Sequence, residues 1–350
     1  MRMQIICRGS IQEGLGHLLR TRTFAKQAAA FHEMEVVALV EPELEGTLAE
    51  ISCPVHCVRR DQEIIPLVQN FAPDVVVFDT TRIEASVFEV AAEATVLKVS
   101  ISPVFNRMQA VDVLFTRSRR NAPMPGVEIF GGLQFAIFND RCQIIDDATF
   151  ERNLALPELP VAICMGGTDA ANKTLAVIRA LREMPEPTTV LVLLGEGYAH
   201  CYNTLVDAVR GDANHEIVLA KTNRSMWRVM SNCAVGIMAG GLTAAEAVYA
   251  GLPTINIFNQ SEHAAMLEEL FEAGVCLNGG LFSERALATT IQTLRRLHQN
   301  REELRQMRQR SRGLADIHGP MRVLREIEQC LLHKALRQVR RGPATEVVCA

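Results

Sequence analysis

Residues 9–20 read Gly-Ser-Ile-Gln-Glu-Gly-Leu-Gly-His-Leu-Leu-Arg and follow a short apolar run at residues 3–7. The run has the length of a strand, the glycines mark a loop, and the apolar residues between 18 and 28 recur with helical spacing. The stretch therefore predicts a strand, a turn and a helix, with His17 at the start of the helix.

The helix start at His17 has a specific chemistry. Gly14 and Gly16 allow a ligand to approach the backbone closely. The free amide groups and the positive end of the helix dipole favour an anionic group nearby. The same dipole disfavours imidazolium, and neutral imidazole is the form that a general base needs. An ordinary helix start with an exposed histidine gives the same local pattern, so the functional interpretation depends on the rest of the chain.

Length and composition limit the classes of protein. The chain has 350 residues, which exceeds the size of most single cores and predicts two domains. The formal net charge is -4, with one Trp and three Tyr, so basic surface and stacking platforms for nucleic acid are not expected. The N-terminus does not resemble a signal peptide, and no apolar run approaches the length that spans a bilayer. We therefore expect a cytoplasmic protein.

The ten cysteines are interpreted as reduced thiols, because most of them lie within apolar runs. One cluster, Cys53-Pro-Val-His56-Cys57, resembles a metal site. It lacks a second pair of ligands nearby and falls in an apparent strand, so a structural role is the better interpretation. No metal and no cofactor are expected.

Strands and helices alternate along the first part of the chain. Strands are predicted at residues 35–40, 55–58, 74–79 and 95–101, and helices near 44–51, 62–70 and 83–92. This alternation predicts a doubly wound α/β domain over residues 1–153. Ligands bind beyond the carboxyl ends of strands in such sheets, which brings residues 9–17, 79–82 and 100–105 to one rim.

The pattern restarts after two prolines break it within residues 153–160. Further strands are predicted at residues 161–165, 189–194, 216–219, 234–238 and 254–258. A second α/β domain is therefore expected over residues 160–315. The two rims would face each other across a cleft.

The second domain contains two turns of the type that binds phosphate. One is Gly166-Gly167-Thr168, and the other is Gly240-Gly-Leu-Thr243. Each places free amide donors and a hydroxyl at a helix N-terminus, although ordinary capping explains either turn taken singly. Glu246 follows one turn into a helix of Ala, Val and Tyr, where its carboxylate needs a ligand or a buried partner. A ribose diol is one such ligand.

These motifs together resemble the GT-B nucleotide-sugar enzymes, which have two Rossmann-like domains facing across a cleft. They are most similar to the UDP-sugar hydrolase of pseudaminic acid synthesis and the spore-coat polysaccharide protein, and more distantly to the lipid II glycosyltransferase. The resemblance covers residues 5 to about 328. It rests on the Gly14-x-Gly-His-x-x-Arg20 motif, both glycine-rich turns, Ala250-Gly-Leu-Pro253, Asn259-Gln260 and Asp316-x-x-Gly-x-x-Arg322.

The resemblance implies a role for each matching position. His17 matches the base that activates water or an acceptor hydroxyl. The other implied contacts are with substrate, and they comprise Gly14, Gly16, Arg20 and Asp79 in the first domain, Gly166, Gly167 and Thr168 as a turn lining the cleft, Met226 at the uracil, Gly240, Gly241, Leu242 and Thr243 at the diphosphate, Glu246 at the ribose, and Asn259 and Gln260 at the sugar.

Two departures lie on the side that faces the sugar or acceptor. Asp79-Thr80-Thr81 stands where the hydrolase has Asp-His-Tyr, and residues 100–103 replace an expected acidic pair. The hydrolase's own substrate is therefore not carried over to this chain.

The resemblance implies metal-independent, inverting cleavage of the anomeric bond of a UDP-linked sugar in polysaccharide or glycoconjugate biosynthesis. Hydrolysis that releases UDP is the leading hypothesis. A UDP-sugar-dependent glycosyltransferase with a small acceptor in place of water is the alternative, and a non-catalytic nucleotide-sugar binding protein is a third. The sugar and the oligomeric state stay open.

The C-terminal segment has an apolar helical stripe with a basic end. The stripe comprises Val323, Leu324, Ile327, Leu331 and Leu336. Such a helix can lie on an anionic membrane. Packing of residues 316–341 back across the two domains is the preferred interpretation, with residues 342–350 disordered and no membrane contact.

Overall fold

The structure, a computed structural model, describes residues 1–221 and 226–341, with the side chains of residues 338–341 left out of the description. Its two parallel sheets confirm the expected α/β fold class. The predicted disordered tail at 342–350 lies outside the described residues, as do Asn223, Arg224 and Ser225 before the proposed uracil contact.

The first sheet has seven strands in the order β3-β2-β1-β4-β5-β6-β7. The strands are β1 (Arg2–Gly9), β2 (Glu33–Val40), β3 (Val55–Val58), β4 (Val75–Asp79), β5 (Leu97–Ser100), β6 (Val113–Thr116) and β7 (Glu128–Gly131). The α-helices between them are α1 (Gly16–Ala28), α2 (Ile64–Phe71) and α3 (Ala85–Ala94). All five residues of β4 are buried, because helices cover both faces of the sheet.

The second sheet has six strands in the order β10-β9-β8-β11-β12-β13. They are β8 (Leu159–Cys164), β9 (Thr188–Leu194), β10 (Glu216–Lys221), β11 (Val235–Ala239), β12 (Thr254–Phe258) and β13 (Leu277–Leu281). The remaining α-helices are α4 (Asp147–Leu154), α5 (Lys173–Leu181), α6 (Tyr202–Arg210), α7 (Met226–Met230), α8 (Leu242–Ala250), α9 (Ser261–Ala265), α10 (Glu268–Glu272), α11 (Glu284–Gln299), α12 (Arg301–Ser311) and α13 (Gly319–Arg341).

Short 3-10 helices occupy four connections of the first domain, at Pro42–Leu48, Asp61–Glu63, Met108–Ala110 and Leu133–Phe135. The first of them replaces the α-helix predicted near residues 44–51. Pro42 fixes the start of this segment, and Gly46 in its interior weakens an α-helix.

The hydrophobic cores differ from the sequence-based domain limits. Phe138, Phe150 and Leu154 are buried in the core of the second sheet, so the segment leading into α4 and α4 itself pack there. Leu133 and Ala136 also belong to this core, whereas Ile137 belongs to the core of the first sheet. Asn153 of α4 also donates to the carbonyl groups of Ser231 and Cys233, which precede β11.

Helix α13 returns from the second domain to the first. Val323, Leu324 and Ile327 are buried in the core that lies under β1. Leu336, at the end of the predicted stripe, is half exposed. Arg322 anchors the start of the helix, with bonds of 2.7 and 2.6 Å to Asp316 and 3.1 Å to the carbonyl of Gln134.

Among the described residues, no helix is both long enough and apolar enough to cross a bilayer.

Candidate active site in the interdomain cleft

A cavity of about 640 Å³ lies between the carboxyl ends of the two sheets. Its walls are the loops that follow β1, β8, β11 and β12, together with the starts of α1, α5 and α8. Of the sixteen predicted site residues, fifteen line this cavity: His17, Gly14, Gly16, Arg20, Gly166, Gly167, Thr168, Met226, Gly240, Gly241, Leu242, Thr243, Glu246, Asn259 and Gln260. Asp79 does not.

His17 lies at the start of α1, where its side chain is 14% exposed. Its Nδ1 atom is 2.7 Å from Oδ1 of Asp79, at the end of β4. Since β1 and β4 are neighbours in the sheet, the loop after β1 and the end of β4 meet at one rim. The Nε2 atom makes no hydrogen bond with the described residues.

Asp79 is fully buried behind His17, which corrects the expectation that it contacts substrate. Arg20 donates to both of its carboxylate oxygens, and the Thr21 hydroxyl donates to Oδ2 over 3.0 Å. Burial alone would raise the pKa of Asp79, but the charge of Arg20 and the bond to His17 outweigh burial and lower that pKa. Asp79 is therefore an ionised carboxylate at neutral pH.

This carboxylate determines the tautomer of His17. A short contact between Nδ1 and an ionised oxygen requires a proton on Nδ1, which then donates to Asp79. Arg20 Nη2 also lies 2.9 Å from Nδ1, but two donors facing each other do not form a hydrogen bond. The arrangement leaves Nε2 of the neutral ring with a free lone pair.

The start of α8 forms the opposite wall. A Cβ atom on Gly240 would lie 1.6 Å from the Phe258 ring, so only glycine fits between that ring and the cavity. Gly241 ends the turn, and the amides of the first turn of α8 have no intrahelical acceptor. This end of the nine-residue helix favours an anion.

The glycine-rich turn after β8 brings the two domains together. Gly166 has φ of +88°, and a Cβ on Gly167 would lie 2.7 Å from Leu15 of the first domain. Asp169 holds the start of α5 by accepting from the amides of Lys173 and Thr174, both over 2.8 Å.

Glu246 is 2% exposed and lies one turn into α8. Its Oε1 atom accepts from the Asn139 amide over 2.8 Å, so the buried partner required by the sequence is a backbone group of the interdomain segment. Burial raises the pKa of Glu246 to about 7, against the effect of the Asn139 bond.

Many other residues line the cavity that were not recognised as site residues from the sequence, among them Arg117, Lys173 and His263. Arg117 follows β6 and donates to the Gly241 carbonyl across the cleft over 2.8 Å. Burial, reinforced by the charge of Arg20, lowers its pKa to about 10. Its position after a strand end was the one available signal.

The imidazole ring of His263 is neutral at pH 7. Burial lowers its pKa to about 4, and the charge of Arg117 acts in the same direction. No group of three or more His, Cys, Asp or Glu side chains that could hold a metal ion occurs within residues 1–221 and 226–341.

Comparisons with known proteins agree with this architecture. No protein-family profile matches the chain. An uncharacterized protein of Methanocaldococcus jannaschii, MJ1062, is 22% identical over 271 residues, which are 74% of this chain. They are 56% of that protein, so the chain spans about half the length of the curated relative it matches.

Solved structures cover nearly the whole chain. MurG of Acinetobacter baumannii superposes with a TM-score of 0.64 at 17% identity, over 94% of this chain and 99% of its own. Anabaena HepE in complex with UDP-glucose superposes with a TM-score of 0.65 at 13% sequence identity, over 94% of this chain and 100% of its own. The UDP-GlcNAc 2-epimerase of Neisseria meningitidis bound to UDP-GlcNAc has a TM-score of 0.63 at 12% sequence identity, over 94% of this chain and 100% of its own. The chain thus has the GT-B fold.

Proposed function

We propose that the protein hydrolyses the anomeric bond of a UDP-linked sugar and releases UDP. The observation that carries the proposal is His17, bound to the buried Asp79, on one wall of a cleft whose other wall is the start of α8. A base and an anion-binding helix end on opposite walls suit displacement of a diphosphate by a nucleophile from the opposite side of the sugar.

In this reaction, Nε2 of His17 takes a proton from water while the water oxygen attacks the anomeric carbon. The bond from that carbon to the diphosphate oxygen breaks, and UDP departs with the electron pair. Asp79 stabilises the imidazolium that forms, and Arg20 keeps Asp79 ionised. The departing charge is stabilised by the amides of α8, and preorganised donors of this kind often contribute the largest part of catalysis.

Nucleotide binding by the second domain is supported by the glycine-rich turns and by Glu246, which lines the cavity. HepE and the meningococcal epimerase hold UDP-sugars in the same fold. We assign uracil to the wall at Met226, and the sugar to the exposed Asn259 and Gln260. The similarity of Asn259-Gln260 to the hydrolase branch favours water as the nucleophile.

Transfer to an acceptor is the second candidate. An acceptor hydroxyl can replace water without any change in the residues named, and the cleft is open to solvent beside Arg82 and Asn259. The fold shared with MurG fits this candidate equally well.

Incubation of the protein with a panel of UDP-, dTDP- and GDP-sugars, with and without acceptors, tests the proposal. We expect UDP and free sugar in equal amounts without acceptor, with the sugar initially in the inverted anomeric form by NMR. Acceptor-dependent release of UDP would instead establish transfer. Tight binding without turnover would establish a binding protein, and no interaction with any UDP-sugar would refute the proposal.

A further inference from the structure

Lys173 is a buried lysine in the wall of the cleft. It is the first residue of α5, is 2% exposed and lines the cavity. Its Nζ atom donates to the carbonyl of Ile257 over 3.2 Å. Lysine is almost never fully buried without a partner of opposite charge, so this position calls for an explanation.

The sheet order shows where the ammonium group lies. The side chain starts from the helix that follows β8 and reaches Ile257 near the end of β12. Strand β11 lies between β8 and β12, and its last residue, Ala239, is in register with Ile257. Lys173 therefore crosses the carboxyl end of β11, where the Gly240-Gly241 turn leads into α8.

The charge of Lys173 is not balanced by an ion pair within the described residues. The acidic group that acts on its pKa is Asp169, whose two oxygens already accept hydrogen bonds from the amides of Lys173 and Thr174. Burial lowers the pKa of Lys173 to about 8, and Asp169 only partly offsets this effect. At neutral pH the group is still mostly an ammonium ion.

Two further positive features surround the same turn. One is the N-terminus of α8, whose first-turn amides have no intrahelical acceptor and lie at the cavity. The other is Arg117, which donates to the Gly241 carbonyl from the other domain. Three positive features repel one another in the absence of a ligand. An anion with more than one charge would bind all three favourably.

We propose that Lys173 contacts the diphosphate of the nucleotide and forms, with the start of α8 and Arg117, a clamp for that group. This assignment rests on the proposed function, which it extends to a residue outside the motifs of the sequence. When the anomeric bond breaks, the diphosphate oxygen gains negative charge, and the ammonium group stabilises it.

A purely structural lysine would instead serve to bind the Ile257 carbonyl. The variant Lys173→Gln separates the two roles, because its side chain keeps an N–H donor, one bond shorter than that of lysine, but carries no charge. Lys173→Met is the second variant, since it keeps the length of the apolar stem and removes the buried charge. Lys98→Gln is the matched control, because Lys98 pairs with Asp112 over 3.4 Å and lies outside the cavity.

The experiment measures the affinity of each variant for uridine and for UDP by ligand-observed NMR and calorimetry. We expect both Lys173 variants to bind UDP about 10- to 100-fold more weakly, the range for loss of a charged hydrogen bond, with uridine affinity changed by less than about twofold. Lys98→Gln should match the wild type for both ligands.

Equal weakening of uridine and UDP binding, or unchanged UDP binding, in the folded variants would overturn the assignment of Lys173 while leaving the proposed function intact. If the wild-type protein bound neither uridine nor UDP, the proposed function would fail, and this assignment with it.

Discussion

Two buried ionisable residues in the cavity wall lower the stability of the ligand-free protein. Burial raises the pKa of Glu246 from 4.5 to about 7 and lowers that of Lys173 from 10.5 to about 8. Each shift shows that folding disfavours the charged form of the group. Ionisable residues whose pKa is strongly shifted by burial belong to binding and catalytic sites more often than to cores.

The sign of the pH effect at Glu246 follows from its raised pKa. The stability that the neutral carboxyl contributes is fully present below about pH 4.5 and is lost as the pH rises through 7. Glu246→Gln should therefore be more stable than the wild type at pH 8, by about 2–3 kcal/mol from the size of the shift, and equally stable at pH 4.5. Urea denaturation at both pH values measures the difference.

Glu272→Gln is the control for this experiment, because Glu272 is exposed. A Glu246→Gln variant that is less stable than the wild type at pH 8 would contradict the account. It would mean that the ionised carboxylate is needed for the fold. The same variant should bind UDP more weakly if Glu246 contacts the ribose.

The roles of some single residues could not be predicted from the sequence. Asp79 closes a continuous apolar run, and its place at a strand end predicted a substrate contact. Its role changed because Arg20 and Thr21, which lie far from it in the sequence, surround its carboxylate in the folded chain. Lys173 becomes a cavity residue only through packing between strands, which no local pattern encodes, whereas the position of Arg117 after β6 was a signal for the rim of the sheet but not for its contact across the cleft.

Among the elements, α13 connects the end of the chain to the first domain. Ile327 is fully buried in the core under β1, whereas Leu332 on the same helix is 58% exposed. The helix should therefore be part of the first domain's cooperative unit, although it follows the second domain in sequence.

Ile327→Ala should lower the free energy of unfolding of the first domain by about 2–5 kcal/mol, the range for truncation of a buried large aliphatic side chain. Leu332→Ala is the matched control and should change it by less than about 0.5 kcal/mol. Thermal and chemical denaturation of the full chain test the pair. If both substitutions lowered the free energy of unfolding equally, burial of Ile327 would not be what holds the helix on the first domain.

Element order was readable from the sequence because strands buried on both faces form continuous apolar runs, such as β4. The 3-10 helix at Pro42–Leu48 was missed, since helical spacing over a few residues does not distinguish the two helix types. The extent of each core was not predicted from the sequence. Phe150 and Leu154 of α4 are apolar in either domain, and only packing shows which sheet they cover.

At the scale of the whole molecule, the loop after β6 fastens the first domain to α10 of the second. Oε1 of Glu269 accepts from the Ser118 hydroxyl over 2.9 Å and from the amides of Arg119 and Arg120 over 2.8 and 2.7 Å. Arg120 also pairs with Glu272 through two bonds, but both side chains are exposed. Arg117 of the same loop also contacts the second domain through the Gly241 carbonyl, so Glu269 is the main attachment of residues 118–120 only.

Glu269→Ala should increase amide hydrogen exchange at residues 118–121 by about tenfold or more, because a carboxylate that accepts three hydrogen bonds is lost. Glu272→Ala should change it by less than about threefold, as expected for an exposed ion pair. Equal amide exchange in the two variants would show that Glu269 does not hold residues 118–121 in place.

In the proposed reaction the two domains have separate roles, with the base on the first and the nucleotide on the second. The most direct measurement compares turnover of a UDP-sugar with UDP affinity in His17→Ala and the wild type. We expect turnover to fall by about 10²- to 10⁴-fold, the usual contribution of a general base, while the dissociation constant for UDP changes by less than about threefold. If UDP binding were lost while turnover per bound substrate stayed at the wild-type level, the division of roles between the domains would be wrong.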